Sequence, residues 1–189
     1  MGMKTGLTER TTKNLQLNAG VLVKNYTKGT DIAESDIVGA TRGGGSINVK
    51  PIIRQVAVDG APTYTKGLER IDEVQVNAQF TMVEFTPALV KRAVPGVSIT
   101  NNGNDAVIQS ISKVLEDDYE DLYWIGDTSD GKNVVVYIKN GFSLDGLSLS
   151  ASDKGEGTFG LNIMAHYGID DLENAPYSIT FEDNGSVAG

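Results

Sequence analysis

The feature that most constrains the fold is a strict alternation of apolar and polar residues over positions 73–83. The apolar members are Val74, Val76, Ala78, Phe80 and Met82. The polar members are Glu73, Gln75, Asn77, Gln79 and Thr81. A period of two is that of a β-strand, whose successive side chains point to opposite faces of a sheet. The segment therefore predicts a long strand with one face on a core and the other in solvent.

Other segments have a strand-like pattern, and together they predict about eight strands. The remaining segments cover residues 15–24, 46–58, 119–126, 132–139, 143–150, 158–167 and 177–182. Asp130-Gly131 is a strong hairpin signal between two of them. Pro51 lacks a backbone donor and therefore predicts that its strand lies at an edge or contains a bulge. Short strands spaced through a chain in this way are typical of a sandwich or barrel.

Two segments predict short helices. Thr86 is a suitable N-cap for a helix that begins at Pro87 and ends before Pro95-Gly96. Residues 105–115 carry apolar side chains at helical spacing and predict a second helix, preceded by a loop over residues 96–104.

The predicted fold is mostly β: an antiparallel β-sandwich or partial barrel with one or two short flanking helices. A chain of 189 residues has the size of one domain, and we expect a single domain over residues 1–189. Residues 1–10 and 184–189 are expected to be flexible arms. Residues 27–45 predict a long loop, because they combine several charges with a run of three glycines. Loops of this length are usually functional or disordered.

The composition limits the class of partner. The chain has no cysteine, which excludes disulfides and thiolate metal ligands. No apolar run is long enough for a membrane span, and we expect no signal peptide, because the N-terminus lacks a hydrophobic stretch. The formal net charge of −9 and the lack of a basic cluster argue against tight binding to DNA, which rests largely on neutralising phosphates.

No motif predicts catalysis. The glycine run at 43–45 lacks the spacing of a phosphate-binding loop and precedes a strand, so a flexible hinge is the simpler interpretation. His166 is the only histidine, and it has no partners at metal-ligand spacing. Acidic residues cluster at positions 116–121, where a solvated corner is the favoured interpretation. Residues 127–131 are a weak calcium candidate that the hairpin already explains. We therefore expect no cofactor, no metal and no enzymatic activity.

Several segments together resemble the major tail proteins of long-tailed bacteriophages, which form the tail tube. They are residues 17–26 (LNAGVLVKNY), 39–44 (GATRGG), 53–61 (IRQVAVDGA), 66–67 (KG), the alternating strand at 73–83, and 177–181 (YSITF). The likeness extends over most of the chain.

The resemblance implies a fold and an assembly. Tail tube subunits are similar in having two antiparallel sheets and a flanking helix, and six copies close into a ring around a channel. Stacked rings form the tube through which DNA leaves the capsid without being tightly bound. The implied partners are further copies of the chain and other tail proteins, such as the tape measure and the tail terminator. The implied location is the virion tail, after assembly in the cytoplasm of the bacterial host.

The same resemblance suggests two groups of site residues. The polar side of the alternating strand would line the channel through Glu73, Gln75, Asn77, Gln79 and Thr81. The loop over residues 27–45 would contact a neighbouring ring and become ordered on assembly. Its candidate stacking residues are Asp31, Glu34, Asp36, Arg42, Gly43 and Gly44.

Two alternatives share the predicted fold. A tube protein of a contractile injection system, such as type VI secretion, would also form hexameric rings. A β-sandwich binding module, for example for carbohydrate, would need an aromatic platform. Its candidate residues are Tyr119, Tyr123, Trp124 and Tyr137.

Overall fold

The computed structural model describes residues 6–182, which form ten β-strands and two short α-helices. The strands are β1 (Gln16–Val23), β2 (Thr41–Gln55), β3 (Glu69–Met82), β4 (Val97–Asn102), β5 (Asp105–Ser110), β6 (Glu120–Thr128), β7 (Asn133–Ser143), β8 (Leu149–Ser150), β9 (Thr158–Met164) and β10 (Tyr177–Glu182). The helices are α1 (Glu9–Lys13) and α2 (Pro87–Ala93), and single 3-10 turns cover Glu34–Asp36 and Glu116–Asp118. The fold is mostly β and antiparallel with two short helices, as the sequence predicts.

The strands form one continuous ladder in the order β1-β6-β7-β9-β3-β2, with β10 paired to β7 and β8 to β9. Strand β7 belongs to two layers. Its first half lies between β6 and β10, whereas Phe142 and Ser143 near its end pair with Met164 and Ile163 of β9. One layer is therefore β1-β6-β7-β10 and the other is β2-β3-β9, an arrangement consistent with a β-sandwich. The pairing order leaves β2 at the edge of one layer and β1 and β10 at the two edges of the other.

The main core lies between the layers and confirms the predicted alternation in β3. Val76, Ala78 and Met82 are fully buried, and Phe80 is 4% exposed. They pack with buried side chains from the other layer, from β9 and from α2. These are Leu22, Leu122, Ile138, Phe159, Leu161, Ile163, Leu89 and Ala93.

Helix α2 closes one end of this core and has the predicted boundaries to within one residue. The Thr86 hydroxyl accepts a hydrogen bond from the Leu89 amide at 3.3 Å, and Pro87 occupies the first turn. Leu89 and Ala93 are fully buried. Capping and burial together explain why seven residues suffice for a helix here.

The predicted helix at residues 105–115 is wrong. Residues 105–110 form β5, which pairs with β4 across the turn around Gly103, so most of the predicted loop at 96–104 is also strand. The two-residue turn Gly103-Asn104 has glycine with a positive φ at its first position, which favours a hairpin, and this local signal prevails over the helical spacing. The hairpin forms a two-stranded sheet of its own.

The predicted strand at residues 143–150 is also mostly wrong. Ser143 ends β7, and only Leu149 and Ser150 form a strand. Between them Gly146 has a φ of +71°, a left-handed conformation that favours glycine and breaks a strand. The strand predicted at residues 177–182 is present with those bounds, and the other predicted strands are present with shifted ends.

The predicted loop at residues 27–45 is shorter and better anchored than expected. Residues 41–45 already belong to β2. Val38 is 6% exposed and packs in the main core, and its amide donates to the Leu22 carbonyl at 2.9 Å. The second half of this segment is therefore attached to the sandwich within one chain, while its role in assembly stays a prediction.

The two proposed arms lie partly beyond the part of the chain that the structure describes. Residues 1–5 and 183–189 are outside it, so the proposed C-terminal arm is not covered. Within the proposed N-terminal arm, Glu9 and Arg10 begin helix α1.

Candidate functional site

The polar side of β3 is part of a wider surface that spans three strands. In an antiparallel pair, residues directly opposite each other share a face of the sheet. The register of β2, β3 and β9 therefore groups one set of polar residues, which we call the polar face. Its members are Ser46, Asn48 and Lys50 on β2, Glu73, Gln75, Asn77, Gln79 and Thr81 on β3, and Gly160 and Asn162 on β9.

The five β3 residues lie where the alternation predicts. Glu73, Gln75, Gln79 and Thr81 are exposed and Asn77 is half-buried, while the intervening residues from Val76 to Met82 are buried. Two apolar residues, Ile52 opposite Glu73 and Met164 opposite Asn77, lie on the same side.

Side-chain amides connect the strands of the polar face. Asn77 Nδ2 donates to Asn162 Oδ1 at 2.6 Å across β3 and β9. The other end of the Asn162 amide donates to the Asp145 carboxylate, which lies in the segment after β7. Gln75 Nε2 donates to Glu73 Oε1 at 2.7 Å along the strand. These bonds hold the amides in place in a surface that is open to solvent.

The polar face is almost uncharged. Its ten residues include one cation, Lys50, and one anion, Glu73. Holding a phosphate backbone requires several Lys or Arg side chains, and a surface with one of them has little attraction for it. The polar face therefore offers many hydrogen-bonding groups and almost no net charge.

The glycine run borders this face as a bulge in β2, not as a flexible hinge. The pairing register jumps between Thr41 and Gly45, and Gly43 and Gly44 have φ values of +73° and +76°. Such left-handed residues are typical of bulges and are least costly for glycine. A β-carbon on Gly45 would lie 2.2 Å from Phe80 Cδ1, so this glycine is required by packing.

Arg42 extends from the bulge to the segment before β9. Its guanidinium donates to Glu156 Oε2 at 2.6 Å, and this contact holds the pKa of the Glu156 carboxyl below its usual range. Arg42, Gly43 and Gly44 line a shallow depression of about 550 Å³ together with Gln79 and Thr81 of the polar face.

The structure divides the six candidate stacking residues between two places. Asp31, Glu34 and Asp36 lie in the loop before β2, whereas Arg42, Gly43 and Gly44 lie at the border of the polar face. Asp36 accepts a hydrogen bond from Asn25 Nδ2 at 2.7 Å. Ile32 in the same loop packs on a second apolar cluster, formed by Val23, Ile125 and Val135.

The acidic residues at 116–121 form a corner that is partly solvated, as predicted, but several of them also contact neighbouring elements. Glu120 forms a two-pronged ion pair with Arg92 of α2, with N–O distances of 2.5 and 2.9 Å. Asp117 pairs with Lys91 at 2.5 Å, which lowers the pKa of the Asp117 carboxyl. Asp118 Oδ2 accepts from the amides of Gly96 and Leu115 at 2.9 and 2.7 Å.

A cleft of about 430 Å³ lies beside these ion pairs, between α2, the β4–β5 hairpin and the acidic turn. Its walls include Ala88, Ile99, Tyr119 and Leu122. Lys91 and Arg92 on its wall are paired with carboxylates, whereas Asp118 Oδ1 is buried without a hydrogen bond.

The aromatic residues of the β6–β7 region do not form one platform. Tyr123 packs on Tyr137 with ring centres 5.0 Å apart, whereas Tyr119 stacks on Phe142 at 4.8 Å. Trp124 belongs to the side of β6 that faces the main core, and its Nε1 donates to the Ala19 carbonyl at 3.2 Å. The platform that a carbohydrate-binding module would need is therefore not assembled from these four residues.

Two tyrosines, Tyr137 and Tyr26, each donate a hydrogen bond to a carboxylate. Burial and a 2.8 Å hydrogen bond to Asp121 raise the pKa of Tyr137. Burial and the nearby Glu182 carboxylate, to which the Tyr26 hydroxyl donates, raise the pKa of Tyr26. This second contact joins the loop after β1 to the end of β10.

The ring of His166 is surrounded by a backbone carbonyl and two aromatic rings. Its Nδ1 lies 3.0 Å from the Met164 carbonyl, and its ring meets Tyr119 and Phe142 edge-on at centroid distances of 5.5 and 5.6 Å. Over residues 6–182, no three His, Asp or Glu side chains are grouped so that they could hold a metal ion. No helix in the same part of the chain is long and apolar enough to cross a membrane.

Sequence reasoning found the β3 side of the polar face but missed its members on β2 and β9. Ser46, Asn48 and Asn162 become neighbours of β3 only through the strand register. Asp145 was missed because it lies in a segment that was predicted as a strand.

Comparison of the sequence with models of protein families gives no match, and comparison with curated proteins gives no significant match.

Proposed function

We propose that this chain is the structural subunit of a tube, of the kind that bacteriophage tails use to conduct DNA. In this proposal six copies close into a ring, and stacked rings form the tail tube of the virion after assembly in the host cytoplasm. The chain acts by its shape and surface, and it is not an enzyme. The observation that carries the proposal is the ordered, almost uncharged polar face on the β2-β3-β9 layer.

The chemistry of this face fits the wall of a DNA channel. DNA carries one negative charge for about every 1.7 Å of helix axis, so a wall rich in Lys or Arg would retain it. The amides of Asn48, Gln75, Asn77 and Gln79 offer water-like hydrogen bonding without net charge. A net charge of −9 on the chain also opposes lasting attachment of DNA.

The edge strands support self-assembly. Strand β2 is an edge strand of one layer and is 15 residues long, and β10 is one of the two edge strands of the other layer. A long open edge is a site where further strands can pair, and natural proteins usually cover such edges. A closed ring of subunits is one way to cover them.

Negative-stain electron microscopy of the concentrated protein tests the proposal. We expect rings or tubes with six-fold symmetry and a central channel. A sedimentation series over the same concentrations serves as the control for true assembly, because specific rings give one discrete species above the monomer. A protein that stays dispersed as monomers up to millimolar concentration would contradict the proposal.

A further inference from the structure

A two-stranded arm extends from the sandwich. Strand β3 pairs with β9 only over Asn77–Met82, so its first residues have β2 as their ladder partner. The arm comprises residues 52–73, which include the ends of both strands and the turn between them. Isolated two-stranded hairpins are marginally stable in water, which implies that such an arm gains stability from a further contact.

The arm carries several exposed apolar side chains. Ile53 lies directly opposite Ile71, and the two side chains are 54% and 64% exposed. Val58 and Tyr64, at the turn, are also exposed. The charges of the arm nearly cancel, because its three cations, Arg54, Lys66 and Arg70, are matched by four anions, Asp59, Glu69, Asp72 and Glu73. Arg54 and Asp72 form an ion pair at 3.1 Å.

A second apolar surface lies at the open side of the sandwich. The edge strands β2 and β10 border a cleft of about 430 Å³. Its apolar walls are Ile47, Val49, Trp124, Val134, Val136, Ile179 and Phe181, and its polar residues, Asn14, Gln16 and Thr128, are uncharged. Ile179 and Phe181 on β10 are 48% and 72% exposed. In the ladder of residues 6–182, β10 is paired to β7 alone, so its outer backbone edge can accept another strand.

We propose that the arm of one copy occupies the β2–β10 cleft of the next copy. This inference rests on the proposed function, and it names the surfaces through which the copies meet. The arm supplies apolar side chains that would cover the apolar walls of the cleft, and a strand that would pair with the open edge of β10. Contacts of this kind, with different surfaces on the two partners, generate rings when the rotation closes.

Charge and size favour a second copy as the occupant. Copies that each carry −9 repel one another, and contact is least opposed where both surfaces are nearly neutral, as the arm and the cleft are. The arm has 22 residues, within the roughly 20–30 residues a side of a stable protein interface. Strand addition at an open edge provides backbone hydrogen bonds as well as apolar contact.

Cysteine cross-linking tests this proposal, because the chain has no cysteine of its own. Ile71→Cys places a thiol on the arm and Phe181→Cys places one in the cleft, both at exposed positions that should leave the melting temperature unchanged. Mixing the two variants, one with a size tag, and oxidising them should give a disulfide-linked heterodimer as the main product. The double variant should give a ladder of multimers that stops at the closed ring.

The matched control mixes Ile71→Cys with Ile169→Cys, whose side chain is 92% exposed but lies outside the cleft. Equal heterodimer yields in the two mixtures, or a predominance of Ile71→Cys homodimers, would overturn the proposal. Rings seen by microscopy without the specific cross-link would overturn this inference and leave the proposed function standing. The specific cross-link without rings would support this inference and overturn the proposed function. A chain that remains monomeric would overturn both.

Discussion

Replacing residues 31–44 with a short Gly/Ser linker is expected to lower the free energy of unfolding by at least about 2 kcal/mol. The replaced segment contains Val38, which is 6% exposed in the main core, and burial of a valine side chain contributes ~1.5–3 kcal/mol. It also contains the start of β2, where Thr41 pairs with Met82. Each kcal/mol corresponds to ~2–4 °C in a domain of this size, so thermal unfolding should detect the loss easily.

This result would reverse the expectation from sequence that the segment serves assembly alone. The matched single variants are Val38→Ser, which should account for much of the loss, and Ile37→Ser, which should cost little because Ile37 is 41% exposed. An unchanged melting temperature in the linker variant would show that the monomer does not depend on this segment.

Gly45→Ala is expected to destabilise the fold by ~1–3 kcal/mol, the usual cost of overpacking a core. The added β-carbon would lie 2.2 and 2.3 Å from two ring carbons of Phe80 and 3.0 Å from the Gln79 carbonyl oxygen. Phe80 is 4% exposed and has little room to move. Urea unfolding monitored by circular dichroism measures the change.

Gly160→Ala is the control for that substitution. Gly160 lies on the polar face of β9, and a β-carbon there would have no atom within 4 Å. Alanine in a strand interior is favoured over glycine by ~0.5–1 kcal/mol, so stability should stay equal or rise. Similar losses for both variants would mean that contact with Phe80 is not what requires glycine at position 45.

The sequence predicts the central part of this fold well because its signals agree there. The alternation in β3 fixes both the strand and its buried side, and the Asp130-Gly131 turn fixes the β6–β7 hairpin. Helix α2 has a cap, a proline and an apolar stripe that all point to the same boundaries. Each of these features is local, so one sequence is enough to recognise it.

The sequence predictions were wrong where two local signals disagreed, or where contacts between residues distant in sequence determine the structure. Residues 105–110 have helical spacing, but the Gly103-Asn104 turn and the β-branched Val107 and Ile108 favour a strand. Gly43, Gly44 and Gly45 look like a hinge in sequence, yet a bulge and the approach of Phe80 give them fixed roles. Nothing near Val38 in the sequence indicates that it enters the main core.

The candidate site also has one part that the sequence predicts and another part that only the structure reveals. The β3 residues of the polar face can be predicted from periodicity, whereas Asn48 and Asn162 require the strand register. A shift of register by one residue would move each of them to the opposite side of the sheet. The arm and the cleft cannot be seen in the sequence at all, because they depend on where β9 stops pairing with β3.

The central claim, that the polar face lines a closed channel, is tested most directly by labelling a single cysteine at Gln79 in assembled particles. Gln79→Cys should react with a small maleimide in both monomers and assemblies, because the side chain is exposed. A maleimide carrying a bulky polyethylene glycol should label the monomer fully and the assembled tube very little, because the polymer cannot enter the channel. Full labelling of intact tubes by the bulky reagent would place Gln79 on the outer surface and contradict the account.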